Sequence, residues 1–217
     1  MATLGMDVPP RIFLLSPARL DGERARLLFR PATMFPLARA LHSAEGATIG
    51  EVFSFLSGLY FRGKLAYAEA FARPPPKLKS GVLVITTNRG LLAPSTRVSL
   101  DDLASLARTE IDHSSEQFRI PLRRDADWVA SSLGVRGELV LLGSIASAKY
   151  IDVLLSIFDE RLLFPQEFVG RGDMSRGGLL LRCVDANLEL AYTPVRGAVR
   201  HGARPPKLPP RSQGSAS

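Results

Sequence analysis

One cysteine, Cys183, stands in 217 residues, so no internal disulfide can form and no cysteine pair has metal-ligand spacing. A disulfide-stapled secreted scaffold is excluded, and a reducing, cytoplasmic setting is the expectation. Long apolar runs are missing as well. The longest uncharged apolar stretch, 139–148, is about half of what a membrane-crossing helix needs. Residues 11–20 hold a four-residue apolar run ended by Ser16-Pro17, which is no signal-peptide core, so no membrane partner is expected. The three histidines, His42, His113 and His201, share no ligand spacing with one another or with Cys183. Neither a metal site nor any other cofactor is expected. A nucleophile-elbow sequence for Ser-His-Asp catalysis is absent too.

What is present is enough apolar material for a core, 46% of the residues, which excludes global disorder. The net charge of +7 is unevenly placed. Residues 196–217 contain Arg196, Arg200, Arg204, Lys207 and Arg211 and no acid, leaving 23 bases against 21 acids elsewhere. The expected organisation is a flexible leader over 1–10, one domain over 11–195, and a disordered, basic, Pro- and Arg-rich tail over 196–217. Such a tail can hold phosphates electrostatically or serve only as a solubilising end.

The apolar patterning alternates strands with helices. Residues 11–15, 81–87 and 138–142 read as buried strands, and 162–164 as a fourth. Helices are expected over 18–30, 37–43, 49–60 with kinks at Gly58 and Gly63, 65–71, 99–108, 123–133 and from about 150. Two further strands, 178–183 and 188–192, are expected to pair through a hairpin turn at 184–187. This order predicts a single three-layer α/β domain with a mostly parallel sheet and an antiparallel C-terminal edge.

In such sheets ligands sit outside the carboxyl ends of the strands. Three loops of this chain fall there. The first holds Ser16 and Arg19, and the second Asn88, Arg89 and Gly90. The third, 143–150, has the glycine-to-lysine spacing of a phosphate-binding loop, Gly143 then Lys149. Ala148 replaces that motif's second glycine and Tyr150 its magnesium-binding hydroxyl, so the expectation narrows to a phosphate or carboxylate cradled by Gly143, Ser144, Ser147 and Lys149. Close helix packing at Gly143, a cap at Ser147 and a solvated Lys149 explain the same residues without a ligand. The segment 170–178 has four glycines in nine residues beside Arg171, Asp173, Ser175 and Arg176. It reads either as a ligand-closing loop, with Asp173 as candidate catalytic base or nucleophile, or as a surface turn held by an Asp–Arg pair. In the cluster 60–64, Tyr60 and Phe61 are expected in the core, with Arg62 and Lys64 extending their charges to solvent. The alternative there is base stacking on the aromatics.

Residues 14–19, Leu-Leu-Ser-Pro-Ala-Arg, resemble the "LLSPAK" strand end of the bacterial peroxide-stress-response family of DNA-binding proteins and its small α/β relatives. Residues 84–94 resemble the family's "ILSGLYGLLRP" segment, most closely at Gly90-Leu91-Leu92 and Pro94. The following "PYRLEM" signature has no counterpart, since residues 97–100 read Arg-Val-Ser-Leu. The resemblance covers about the first hundred residues. It implies an α/β fold, nucleic-acid association, and a pocket lined by Ser16, Arg19, Asn88, Arg89 and Gly90.

The leading expectation is a nucleic-acid- or nucleotide-associated protein that binds phosphate at the carboxyl ends of its strands, with DNA, RNA, a nucleotide or a phosphorylated small molecule as partner. A hydrolase or transferase acting on a nucleotide or sugar phosphate is the alternative, and a protein-interaction module the third. Whether it is an enzyme, and its oligomeric state, stay open at this level.

Overall fold

The structure is a computed structural model that describes residues 8–31, 35–112, 114–146, 149–200 and 202–208. Ser147, His113, His201, most of the expected leader and the end of the tail lie outside the described residues. In chain order the elements are β1 (Arg11–Leu15), α1 (Glu23–Phe29), α2 (Pro36–His42), β2 (Ala47–Thr48), α3 (Ile49–Ser57), α4 (Leu59–Phe71), β3 (Val82–Ile85), β4 (Leu91–Leu92) and β5 (Arg97–Val98). There follow α5 (Leu100–Arg108), α6 (Glu116–Leu133), β6 (Glu138–Leu142), α7 (Ile151–Phe158), β7 (Leu162–Pro165), α8 (Asp173–Asp185) and β8 (Tyr192–Pro194).

Among the described residues the main sheet runs β4-β3-β1-β6-β7-β8. The four inner strands are parallel, and both edges, β4 and β8, are antiparallel. The period-2 geometry of β1 sends Phe13 and Leu15 into one core with α3, α4 and α8, and Ile12 and Leu14 into a second core with α6 and α7. That double burial is why the strand sequences are continuously apolar, and it makes the domain a single three-layer α/β unit.

Local chemistry sets several boundaries. Ser99 and Asp102 close a reciprocal capping box on α5, with Asp102 N–H donating to Ser99 Oγ at 3.1 Å and Ser99 N–H to Asp102 Oδ2 at 2.9 Å. Gly58, at φ 59°, ends α3 and starts α4, so the expected 49–60 helix is two helices. Gly63 does not kink α4 but packs it against α8.

Two expectations are corrected. The strands expected over 178–183 and 188–192 do not form as a hairpin; residues 173–185 are α8, and the final strand covers only 192–194. Glycines 177 and 178 lie inside that helix, where Gly177 meets the backbone of α4. In addition, α6 begins seven residues before the expected start and carries Pro121 inside it.

Of the expected tail, residues 196–200 and 202–208 are described. Arg196 pairs with Asp159, and Arg171 Nη1 donates to the Pro206 carbonyl at 3.4 Å. A Cβ on Gly170 would collide with the Ala203 carbonyl oxygen. This run therefore lies along the loop that precedes α8. No helix among the described residues is long and apolar enough to cross a membrane.

Candidate functional site

Strands β1 and β6 are neighbours, and the chain leaves their carboxyl ends toward opposite faces of the sheet. Leu28 of α1 enters one core and Ile151 of α7 the other. A crevice opens where the two loops diverge, the position at which open α/β sheets hold ligands. The loops are nearly in contact at its floor. A Cβ on Gly143 would stand 2.9 Å from Ser16 Cβ and 2.9 Å from the Tyr150 hydroxyl. Gly143→Ala is therefore expected to displace Ser16 and Tyr150, at a stability cost of about 1–3 kcal/mol. Urea or thermal unfolding of the variant beside the parent checks it.

The crevice is a cavity of about 750 Å³. Of the residues expected from sequence, Ser16, Arg19, Ser144, Lys149, Asp173 and Arg176 line it. Others are engaged elsewhere. Asn88 Nδ2 donates to Ser105 and Thr109, which ties its loop to α5. Arg89 pairs with Asp102 at 3.1 Å, and Gly90 takes the left-handed turn (φ 67°) that lets Leu91 N–H reach Asp125 Oδ2. Arg171 Nη1 donates to Ser175 Oγ at 3.3 Å, away from the lining.

The charges around the cavity are mixed. Arg176 is the best fixed: its guanidinium donates twice to the Phe168 carbonyl, at 3.2 and 2.9 Å, and lies over the Phe168 ring. Its nearest acid is Asp173, 3.8 Å away, whose carboxylate is 71% exposed in the first turn of α8. Arg19 is exposed and forks onto Asp21 at 3.0 and 2.6 Å. Lys149 is exposed and lines the cavity. Asp21 and Glu110 add acids, while Leu20, Leu56, Leu106 and Ile111 form apolar wall.

Beneath this floor lies a residue that the sequence reading placed at the surface. Lys64, on α4, is 1% exposed. Its Nζ donates to the Ser16 carbonyl at 2.6 Å and to Ser16 Oγ at 2.9 Å, and sits over the faces of Tyr60 and Phe61, 4.6 and 4.9 Å from their centroids. Burial pushes the ammonium down to about 7; Asp173 opposes that shift and Arg176 adds to it. Tyr150 donates to the Ser144 carbonyl at 3.1 Å, and burial raises its phenol to about 12, so the hydroxyl keeps its proton at neutral pH. The Tyr60 hydroxyl is buried without a hydrogen-bond partner at the cavity wall, and burial raises it as well. The signal for Lys64 was its spacing. It falls three and four residues after Phe61 and Tyr60 and three and four before Tyr67 and Ala68, on the buried face of α4.

Among the described residues no group of three or more His, Cys, Asp and Glu side chains could hold a metal ion. Compared with protein-family models, curated proteins and solved structures, the chain finds no match.

Proposed function

We propose that the protein binds a nucleotide in the crevice between β1 and β6, with the ligand's phosphate toward Arg176 and Lys149. The observation that carries this reading is the charge division of a nucleotide-sized cavity. Arg176 and Lys149 suit an anionic end, Asp21 and Glu110 can accept from sugar hydroxyls or base N–H groups, and the apolar wall can take a base. A simple phosphate would leave the acids and the apolar wall unused.

Thermal-shift titration with nucleoside mono- and diphosphates and with sugar phosphates tests it. A nucleotide at a hundred times its Kd stabilises the fold by about 2.7 kcal/mol, a rise of several degrees in Tm. Lys149 is exposed, so Lys149→Ala is expected to weaken nucleotide binding roughly tenfold, about 1.5 kcal/mol, with an unchanged ligand-free melt. Equal affinity in the variant would remove Lys149 from the site.

One observation favours an oligonucleotide end as the occupant. Arg200, from the chain after β8, lines a small pocket with Gly143, Ser144 and Arg176 beside the main cavity. The resemblance of the first hundred residues to DNA-binding proteins points the same way. A polymer reading requires the cations beyond the crevice to contribute. Neutralising Arg200, Arg204 and Lys207 together would then lower the salt slope of single-stranded DNA binding by about 2–3. A single nucleotide would bind the triple variant as it binds the parent.

A further inference from the structure

We propose that Ser16 is a nucleophile toward the phosphorus of a phosphoester bound in the crevice, with Lys64 taking and returning the serine proton. The inference rests on the nucleotide reading above for its substrate class, and on separate geometry for its chemistry. Ser16 lines the cavity at the carboxyl end of β1, whereas Lys64 is buried behind it and has its hydrogen-bond route to the cavity through Ser16. Lys64 has no carboxylate within ion-pair distance among the described residues; its polar partners are both atoms of Ser16. A buried amine without a counter-ion, 2.9 Å from a hydroxyl that faces a ligand cavity, is an arrangement that stability alone disfavours. The charged and titratable groups facing it are Asp173 and Arg176 from α8, Tyr60 from its own helix, and Tyr150 from the loop after β6.

The electrophile follows from charge. A carboxylate base at this depth would repel a phosphate, whereas a neutral amine does not. On accepting the serine proton it becomes an ammonium directly behind the reacting oxygen, where negative charge develops. In the first step the Ser16 Oγ–H proton passes to Lys64 Nζ, the Oγ–P bond forms, and the bond from phosphorus to the leaving oxygen breaks. The leaving oxygen lies in line on the open side and takes its proton from cavity water. In the second step water attacks the phosphoserine and loses a proton to solvent. The Oγ–P bond breaks, and Oγ recovers its proton from Lys64. The net reaction is hydrolysis of the phosphoester.

The test uses the full chain and a fluorophosphonate, which needs only a nucleophilic hydroxyl: the Oγ–P bond forms, the P–F bond breaks, and fluoride leaves. Intact mass and peptide mapping are expected to place one adduct on Ser16, absent in Ser16→Ala, formed about ten times faster at pH 8.5 than at pH 6 because the base must be neutral. Lys64→Met is expected to slow it at least a hundredfold. Release of nitrophenolate from thymidine 5′-(p-nitrophenyl) phosphate gives the turnover readout. Should Lys64→Met not fold, the pH profile of the parent decides alone. No adduct at any pH, an adduct on another residue, or labelling that ignores both pH and Lys64→Met overturns the proposal. Nucleotide-induced thermal shifts without Ser16 labelling would leave the ligand reading standing and the chemistry refuted. Labelling without any nucleotide shift or protection would do the reverse.

Discussion

Replacing Lys64 with methionine is expected to make the protein more stable at pH 6.5 and less stable above pH 10, a reversal of sign between the two conditions. The folded chain holds this amine at about 7, whereas the unfolded chain returns it to 10.5. Below pH 7 both states are protonated and the folded one bears the whole penalty of a buried ammonium. Between pH 7 and 10.5 the unfolded chain binds more protons, so stability climbs with pH; above 10.5 the penalty has gone. The difference in proton affinity corresponds to about 5 kcal/mol. Methionine has similar length and no charge, so it escapes that penalty. It also forfeits the two hydrogen bonds to Ser16, about 1 kcal/mol each, which is why it loses at high pH. Urea unfolding of both proteins at pH 6.5 and 10.5 reads the effect as a difference of differences, in which the other titrating groups cancel. A gap that stays constant with pH would show that Lys64 remains charged in the folded state.

Gly177→Ala is expected to lower stability by about 2 kcal/mol or more, roughly 4–8 °C in Tm for a chain of this size, while Gly178→Ala next to it raises stability. Helix propensity alone predicts a gain of about 1 kcal/mol for either change. At Gly177 the added Cβ would lie 2.8 Å from the Leu59 carbonyl oxygen and 2.8 Å from Tyr60 Cα. At Gly63, on the opposite helix, it would lie 2.7 Å from the Gly177 carbonyl oxygen. These are backbone atoms that cannot rotate aside, so α4 and α8 must separate and open their shared core. A Cβ on Gly178 meets only Leu208 Cδ1, at 3.8 Å, which is ordinary contact. The pair of melts therefore isolates the helix contact from propensity. Equal behaviour of the two variants would mean that the helices are not held at this distance. The same separation would shift Lys64, one residue after Gly63, away from Asp173 and Arg176.

That glycine contact also explains where the sequence was hard to read. In 177–183 an apolar run beside two glycines looks like a short strand with a turn before it. Only a neighbouring helix supplies the reason for glycine there, and the buried residues Gly177, Leu180 and Cys183 fall on a helical spacing. Strand β6 carried its own evidence, since the four residues that form one continuous apolar run after Glu138 fit a strand buried on both faces, as inside a parallel sheet. The capping box at Ser99 and Asp102 is equally local, and so legible. In α6 the expected start at 123 falls short because Pro121 is tolerated inside the helix, giving up a single backbone donor while the turns on either side hold. The strand-end rule located Ser16, Arg19, Ser144 and Lys149 because it depends only on where strands finish. It did not reach Lys64, because the spacing that puts this residue on the buried face of α4 runs against the usual exposure of a lysine.

The central place of β1 bears on how the chain is made. It precedes β3 and β6 in the chain, yet it pairs with β3 on one side and β6 on the other, and Arg11 bonds Glu138 across 127 residues. On a ribosome adding about 5–20 residues per second, β1 and β3 wait several seconds for β6 to emerge, with an apolar, unpaired edge exposed. Long-range pairing of this kind folds slowly and leaves the nascent segment aggregation-prone until β6 arrives. Moving 1–15 to the carboxyl end in a circular permutant would shorten that wait for the first strand and leave the finished sheet unchanged.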